Sequence, residues 1–291
     1  MSGNLQGILW ALLAAALFAG QAALVKSVVA EYHVLEILFI RQLFVFTSSL
    51  PSLARDFPGS LKTKRAGVHA ARLIGAFIAL STAIWAVAVL PLTTAITLSF
   101  AKVFFVGLLA AFFLGELVDR HRIFAIIAGF CGVVVVMQPG VAGLLDLHAL
   151  IPVAGAFGAA IAQVSVRKLA QTESTGTILA YQAIFVGLLS GIPMFWFWKT
   201  PDLADGLVFT AIGLVAVAGQ WLAVKALRLG EASVVGNIEY TKLLYAAGFG
   251  YILFSEIPDP YTLAGAAIIF SSSAYLMYRE ARLKPVSPRA S

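Results

Sequence analysis

The chain has 291 residues, of which 60% are hydrophobic and only 12% are charged, and its mean hydropathy is +0.93. Soluble domains carry about 25% charged residues, so this composition cannot supply the polar surface of a soluble globule of this size. The same numbers exclude a disordered chain, a collagen and a coiled coil, and they indicate an all-α membrane protein with several spans.

Apolar stretches long enough to cross a bilayer follow one another along the chain. A transmembrane helix needs about 20 mostly apolar residues. Ten stretches approach this length, at residues 5–29, 34–53, 68–89, 92–114, 122–138, 148–168, 176–197, 205–227, 232–254 and 261–278. Only Leu90-Pro91-Leu92 separates the third from the fourth, and the proline there predicts a turn because it disfavours helix in the preceding residue. We therefore predict ten transmembrane helices joined by short loops.

The basic residues divide unevenly between the two faces that ten spans create. Fifteen of the 20 Lys and Arg residues fall on the side that holds both termini, and only Lys26 and Lys199 fall on the opposite side. Cytoplasmic loops carry the excess of basic residues, so both termini are expected in the cytoplasm. The net charge of +6 is thereby attributed to these loops, and no nucleic-acid partner is expected.

Two halves of the sequence repeat one another. Lys102 and Glu116 recur as Lys242 and Glu256, both 140 residues further on, and Arg41-Gln42 stands opposite Tyr181-Gln182 at the same offset. Chance similarity between Ala- and Leu-rich helices is the alternative. We predict a first five-helix repeat over residues 1–140 and a second over 141–291, which ends in a short basic cytoplasmic tail. Five spans are an odd number, so the second copy is inverted, an arrangement typical of carriers.

Two acidic turns carry a resemblance to a known family. Phe112-Phe113-Leu114-Gly115-Glu116 and Ile252-Leu253-Phe254-Ser255-Glu256 each end the fourth helix of a half, and each precedes a Gly/Ala-rich helix. With ten spans as five plus five, the chain resembles the drug/metabolite transporter superfamily of the EamA type. Within it, the chain looks most like the bacterial branch that exports aromatic amino acids. It departs at Val103 and Leu243, where relatives often have proline, and at Ser255, where glycine is usual.

The resemblance implies a secondary transporter rather than an enzyme. It implies export of amino acids, aromatic and other neutral ones, from the cytoplasm across the bacterial inner membrane by alternating access. The expected partners are the small-molecule substrate and the lipid bilayer, and the protein is expected to work as a monomer without a cofactor.

Four charged residues fall well away from the ends of predicted spans. A charge at mid-membrane costs about 2.5–3.5 kcal/mol or more, so each requires a reason. Lys102 and Lys242 occupy equivalent places, and we expect them to bind a substrate carboxylate or to gate the cavity. The alternative for Lys242 is a structural pair with Glu239, three residues earlier. Arg41 and Glu239 are predicted gating or coupling residues, although Arg41 also fits a snorkelling or structural role.

Polar and aromatic side chains complete the predicted site. Apolar walls with a few hydrogen-bonding groups suit a zwitterion with an apolar side chain. Besides the two lysines, the predicted substrate-binding residues are Gln21, Ser81, Trp85, Phe100, Phe157, Gln163, Gln220, Trp221 and Tyr240. The three glutamines are chosen because they fall on helices that line the cavity in relatives. Interhelical hydrogen bonds for the glutamines and lipid-interface anchoring for the aromatics are the alternatives.

Other kinds of site find little support. Cys131 is the single cysteine and the four histidines lack metal-ligand spacing, so no metal site and no catalytic residue are expected. No Walker motif is present, which argues against ATP-driven pumping. Three rival functions stay open: a drug or cation effluxer that relies on Glu239, a nucleotide-sugar or other metabolite carrier, and a membrane scaffold that transports nothing.

Overall fold

The computed structural model describes residues 3–55, 63, 65–114, 120–137, 147–169, 175–229 and 238–283. All regular structure in these residues is helical, as predicted. In chain order the helices are α1 Gly3–Val28, α2 Val34–Arg55, α3 Ala66–Val89, α4 Leu92–Ser99, α5 Lys102–Leu114, α6 Arg120–Val136, α7 Leu150–Leu169, α8 Thr175–Gly191, α9 Met194–Phe197, α10 Leu203–Leu229, α11 Thr241–Phe254 and α12 Pro260–Leu283.

Much of the described chain is long and apolar enough to cross a membrane. Six segments meet that requirement: Leu5–Val28, Val34–Pro51, Ala66–Val89, Leu92–Ala110, Leu147–Val166 and Leu203–Ala226. Three further apolar helices are shorter: Ile123–Val136, Tyr181–Gly191 and Thr241–Phe254. The chain is therefore a multi-pass membrane protein, and the number of ten spans stays a prediction.

The turn predicted between the third and fourth stretches is confirmed. Leu90 has extended backbone angles, φ −124° and ψ 156°, directly after α3, and Pro91 directly precedes α4. The proline ring removes a backbone donor and clashes with a helical residue before it, so α3 ends here.

Two stretches that the hydropathy pattern predicts as continuous are interrupted in mid-span. The fourth breaks at Phe100 and Ala101, and in the described part of the ninth a turn at Glu239 and Tyr240 separates the helical residue Ile238 from the helix Thr241–Phe254. At both places the backbone forms hydrogen bonds between residues that are three apart in the sequence. The Val103 N–H donates to the Phe100 carbonyl at 3.1 Å, and the Leu243 N–H donates to the Tyr240 carbonyl at 3.0 Å. Such 3₁₀ turns change the helix direction without glycine or proline, which explains why the sequence did not reveal them.

The helices pair in a pattern that is preserved when the two predicted halves are exchanged. The exchange replaces α1 by α7 and α10 by α3, so the packed pair α1–α10 becomes the packed pair α7–α3. The pairs α2–α8 and α6–α12 are unchanged by it. All four pairs are extensively packed. Elements of both predicted halves therefore build one bundle, and its centre lies between α1, α3, α7 and α10. The boundary at residue 140 stays a prediction.

Glycines bring α3 and α7 into direct backbone contact. A Cβ atom on Gly75 would lie 2.6 Å from the Gly158 carbonyl oxygen, and one on Gly158 would lie 2.8 Å from the Gly75 carbonyl oxygen. Gly155 faces the Thr82 hydroxyl. The Gly155-x-x-Gly158 spacing thus allows close helix approach, as small residues do in membrane bundles.

The loop after α1 is attached to the start of α10. The Tyr32 hydroxyl donates a hydrogen bond of 2.6 Å to the Asp205 carboxylate, and the Tyr32 ring packs edge-on against Phe209. This bond, with desolvation and the surrounding carboxylates, raises the pKa of Tyr32 to about 12. Because the hydroxyl keeps its proton at neutral pH, it acts as a permanent donor to Asp205.

Candidate functional site

A cavity of about 340 Å³ lies at the centre of the bundle, between α1, α3, α4, α7, α10 and α11. Twelve of the residues that line it are alanines, so the space results from small side chains on closely packed helices. Three helices contribute residues at helical spacing, as in Ala79, Thr82, Ala83 and Ala86 of α3. Such spacing places all four side chains on one face of the helix.

Among the residues that the structure describes, three charged side chains reach this cavity: Lys102, Lys242 and Glu239. Their formal charges sum to one positive charge in an otherwise mostly apolar chamber. Lys102 begins α5, the segment after the first interruption, and Lys242 is the second residue of α11, after the other interruption. Each lysine is thus placed by a break in its span, which brings irregular backbone to the cavity. Broken helices at a central site are a recurring feature of secondary transporters.

The two interruptions meet each other at the cavity wall. Phe100 and Tyr240, which are equivalent at the 140-residue offset, stack with ring centroids 4.8 Å apart and planes tilted by 33°. A two-fold axis that exchanges the predicted halves passes through a contact between equivalent residues of this kind. Lys102 and Lys242 each follow one of the two rings by two residues. The cavity is therefore built around the place where the equivalent segments touch.

Glu239 pairs with Lys102, although the sequence suggested Lys242, three residues later, as its structural partner. Its carboxylate lies 4.0 Å from the Lys102 ammonium group, whereas the Lys242 ammonium group lies 5.7 Å from the centre of the Phe18 ring. Glu239 precedes α11 and sits in the turn, where the Lys242 N–H donates to its carbonyl at 3.1 Å, while its carboxylate pairs with Lys102. The side chains of Lys102 and Glu239 are 37% and 60% exposed. A pair this open and this long contributes little stability, so it leaves Lys102 available to a ligand.

Of the predicted site residues, the structure brings Phe100, Lys102, Glu239 and Lys242 together at the cavity. The others are not among the residues that line it: Gln21, Arg41, Ser81, Trp85, Phe157, Gln163, Gln220, Trp221 and Tyr240.

The aromatic members of this second group have identifiable surroundings. Trp85 and Trp221 are 51% and 61% exposed, which suits contact with lipid. Tyr240 is buried behind Phe100 and packs edge-on against Phe270. Phe157 faces a separate groove on the other side of α7. These positions favour the packing and anchoring alternatives for the aromatic side chains.

Two arginines have structural partners. Arg41 donates to the side chain of its neighbour Gln42 at 2.8 Å. Arg72, which the sequence assigned to the cytoplasmic face, is buried in α3 and donates to the Ile178 carbonyl and to the Gln182 amide oxygen, at 2.8 and 2.7 Å. Arg72 thus joins α3 to α8. The distribution of basic residues along the sequence did not indicate this role.

An ion pair joins elements of the bundle one helical turn beyond the cavity. Ala22 lines the cavity, and four residues later the Lys26 ammonium group contacts the Glu256 carboxylate at 2.5 Å. Lys26 also donates to the Leu90 carbonyl at 2.7 Å, and Glu256 accepts the Leu92 N–H at 2.8 Å. This latch joins α1, the turn between α3 and α4, and the turn after α11. Glu256 thus lies at the junction of these three elements, whereas its counterpart in the first half, Glu116, lies outside the described residues.

Replacing Glu256 with glutamine is expected to destabilise the protein by about 1.5–3 kcal/mol, because a well-shielded Lys26 loses its charged partner while the bond to Leu92 can persist. Thermal unfolding in detergent measures this change. Glu239→Gln is the matched control, since Glu239 is more exposed and its ion pair is longer. Equal melting temperatures for the two variants would show that the latch does not hold this end together.

The fold and this cavity can be compared with known proteins. The model of the EamA-like transporter family matches residues 5–138 and, a second time, residues 147–278. The chain belongs to the EamA-like transporter family. The family resemblance expected from the two acidic turns is therefore confirmed, and family members are transporters rather than enzymes.

Curated relatives cover the chain almost end to end. The S-adenosylmethionine uptake transporter of Rickettsia bellii is 29% identical over 94% of each chain. The pseudopaline exporter of Pseudomonas aeruginosa is 29% identical over 90% of this chain and 93% of its own. The riboflavin transporter of Vibrio cholerae is 28% identical over 96% and 95%. Their names do not support the narrower resemblance to exporters of aromatic amino acids.

A solved crystal structure shares the fold. It superposes on 97% of this chain and 100% of its own with a TM-score of 0.65, at 16% sequence identity. At that identity the likeness concerns the fold alone. The family and the fold together make this chain a multi-pass membrane transporter of the drug/metabolite transporter superfamily for a small molecule.

Proposed function

We propose that the chain exports neutral amino acids, or metabolites that carry an amino-acid group, across the bacterial inner membrane by alternating access. The observation that carries this proposal is the central cavity with Lys102 and Lys242 opposed by the single carboxylate of Glu239. A substrate carboxylate can pair with a lysine of this cavity, whereas a simple cation has no group that the lysines attract. The alanine-rich walls suit the apolar part of such a molecule.

The relatives agree with part of this proposal. S-adenosylmethionine, the substrate named for the Rickettsia protein, carries an amino-acid group. The Pseudomonas protein is named an exporter and the Rickettsia protein an uptake transporter, so direction is a separate question. We place both termini in the cytoplasm and expect net outward movement down the metabolite gradient.

Alternating access assigns the latch a place in the cycle. Lys26 and Glu256 join α1 to the turn after α11, and we expect this ion pair to keep the cavity closed at this end of the bundle while it is formed. For substrate to leave at this end, the pair must break. Sequence sidedness places this end at the outer face of the membrane.

Flux from proteoliposomes tests the proposal. Vesicles are loaded with tryptophan, phenylalanine, threonine, methionine, S-adenosylmethionine, riboflavin, a quaternary ammonium dye or a nucleotide sugar, and release is followed over time. We expect saturable flux of the amino acids, competed by other molecules with an amino-acid group. Flux of riboflavin or of the nucleotide sugar alone overturns the substrate assignment. Silence across the panel from folded protein also overturns the substrate assignment.

Glu239→Gln separates amino-acid transport from cation efflux. The variant removes the one carboxylate of the cavity and leaves both lysines, so amino-acid flux is expected to persist. If the protein is a cation effluxer, the unaltered chain transports the dye and Glu239→Gln does not. In that case neither the unaltered chain nor the variant transports amino acids.

A further inference from the structure

A second cavity lies on the outside of the bundle and shares no lining residue with the first. It has a volume of about 450 Å³ and is bounded by α3, α5 and α7. Apart from Ser165 and Lys168 its lining is apolar. Phe157 packs against Phe105 near the start of α5 and marks the aromatic end of the groove, away from Lys168, whereas Phe113 lies near the C-terminal end of α5. The Phe113 and Phe157 rings both line the groove. These two rings are 67% and 43% exposed, so the surrounding medium contacts them. This lipid groove, as we call it, is a narrow apolar channel on the membrane-facing surface.

One end of the lipid groove is positively charged. Lys168 lies in the last turn of α7 and is exposed. The Arg65 guanidinium donates to the Lys168 carbonyl at 2.9 Å, which places a second cation at the same end. Within the described part of the chain, no acidic residue lines the groove. The end therefore presents two cations without a lining carboxylate to neutralise them.

The length of the groove matches half a bilayer. Phe157 and Lys168 are eleven residues apart on one helix, which corresponds to about 16 Å of helical rise. The hydrocarbon core of a bilayer is about 30 Å thick, so one leaflet supplies about 15 Å. An acyl chain that runs from the aromatic end to the basic end thus places its headgroup beside Lys168 and Arg65.

We propose that this groove is a binding site for an anionic phospholipid, with one acyl chain along α7 and the phosphate-containing headgroup held by Lys168 and Arg65. Basic pockets between transmembrane helices recognise anionic headgroups through charge. The two glycine-linked helices α3 and α7 form one wall and also line the central cavity on their other faces. α5, which begins at Lys102, forms the opposite wall, so the lipid occupies the seam between these elements.

Thermal-shift titration in a neutral detergent tests the proposal with dioleoylphosphatidylglycerol as the probe. We expect saturable stabilisation by this lipid and a much smaller effect of dioleoylphosphatidylcholine. Each basic residue near an anionic lipid contributes about a fivefold gain in affinity, so Arg65→Gln with Lys168→Gln is expected to weaken binding by about tenfold or more. Lys168→Arg with Arg65 intact retains binding.

Two further variants make the result specific to the groove. Ala71→Phe fills the channel while leaving both cations, and it is expected to remove the preference for the anionic lipid. Arg228→Gln is the matched control, because Arg228 is an exposed basic residue in the last turn of α10, away from the groove. Equal stabilisation by the two lipids overturns the proposal, as does unchanged affinity in the double glutamine variant or in Ala71→Phe. Equal stabilisation by soluble glycerol 3-phosphate also overturns it, since the acyl chain would then be irrelevant.

Discussion

Replacing either cavity lysine with alanine is expected to raise the KM for an amino-acid substrate by about ten- to hundredfold. A hydrogen bond to a charged group contributes about 1.5–3 kcal/mol, and each 1.4 kcal/mol is a factor of ten in affinity. Lys102 and Lys242 both line the cavity, and their loss leaves Glu239 as the sole charge there among the described residues. Initial rates from proteoliposomes over a range of substrate concentrations, at equal protein content, measure this effect.

The control for this experiment is Lys225→Ala. Lys225 lies on α10 near the cavity, but its ammonium group is placed over the rings of Trp10 and Trp221, at 3.8 and 4.8 Å from their centres. Removing it deletes the same charge without touching the cavity lining, so KM is expected to stay unchanged. If Lys102→Ala and Lys242→Ala both transport like the unaltered protein, the two lysines have no part in substrate binding.

Adding one methyl group between α3 and α7 is expected to destabilise the bundle by about 1–3 kcal/mol. In Gly75→Ala the new Cβ meets the Gly158 carbonyl oxygen at 2.6 Å, and in Gly158→Ala it meets the Gly75 carbonyl oxygen at 2.8 Å. Both obstacles are backbone atoms, so the helices themselves must separate. Thermal unfolding in detergent measures the loss, and transport is expected to fall because the same helices form the cavity wall.

Gly248→Ala is the matched control for these two variants. Gly248 also lies inside a helix, α11, but nothing lies within 4 Å of a Cβ added there. Alanine is preferred over glycine in helices by about 1 kcal/mol, so this variant is expected to be as stable as the original or slightly more stable. If Gly75→Ala and Gly158→Ala behave like Gly248→Ala, close backbone contact is not what holds α3 and α7 together.

Family membership alone does not define the substrate of this chain. Relatives that are 28–29% identical are named for S-adenosylmethionine, pseudopaline and riboflavin. Their overall folds are expected to be alike, so selectivity depends on which few side chains reach the cavity. In the described part of this chain the charged side chains that line the cavity are Lys102, Lys242 and Glu239, and the flux panel varies substrate charge around them.

Local patterns in the sequence were sufficient for the helical class, the turn at Leu90-Pro91-Leu92 and the family. Each depends on interactions between near neighbours or on composition: apolar stretches exclude water, and proline stops a helix. The two lysines were also found from the sequence, since a charge in an apolar stretch is costly wherever it lies. Short-range signals of this kind are visible along a single chain.

Only the tertiary structure decided which residues share the cavity and which pairs form. The Glu239 carboxylate lies 4.0 Å from the ammonium group of Lys102, which is far away in the sequence, and Lys26 contacts Glu256 from the opposite end of the chain. The predicted glutamines and tryptophans are not among the residues that line the cavity, while alanines form much of its walls. The physical reason is that helix rotation and the break at Phe100 are set by packing against distant elements. In a sequence where nearly every side chain is apolar, hydropathy does not reveal which face of a helix is turned inward.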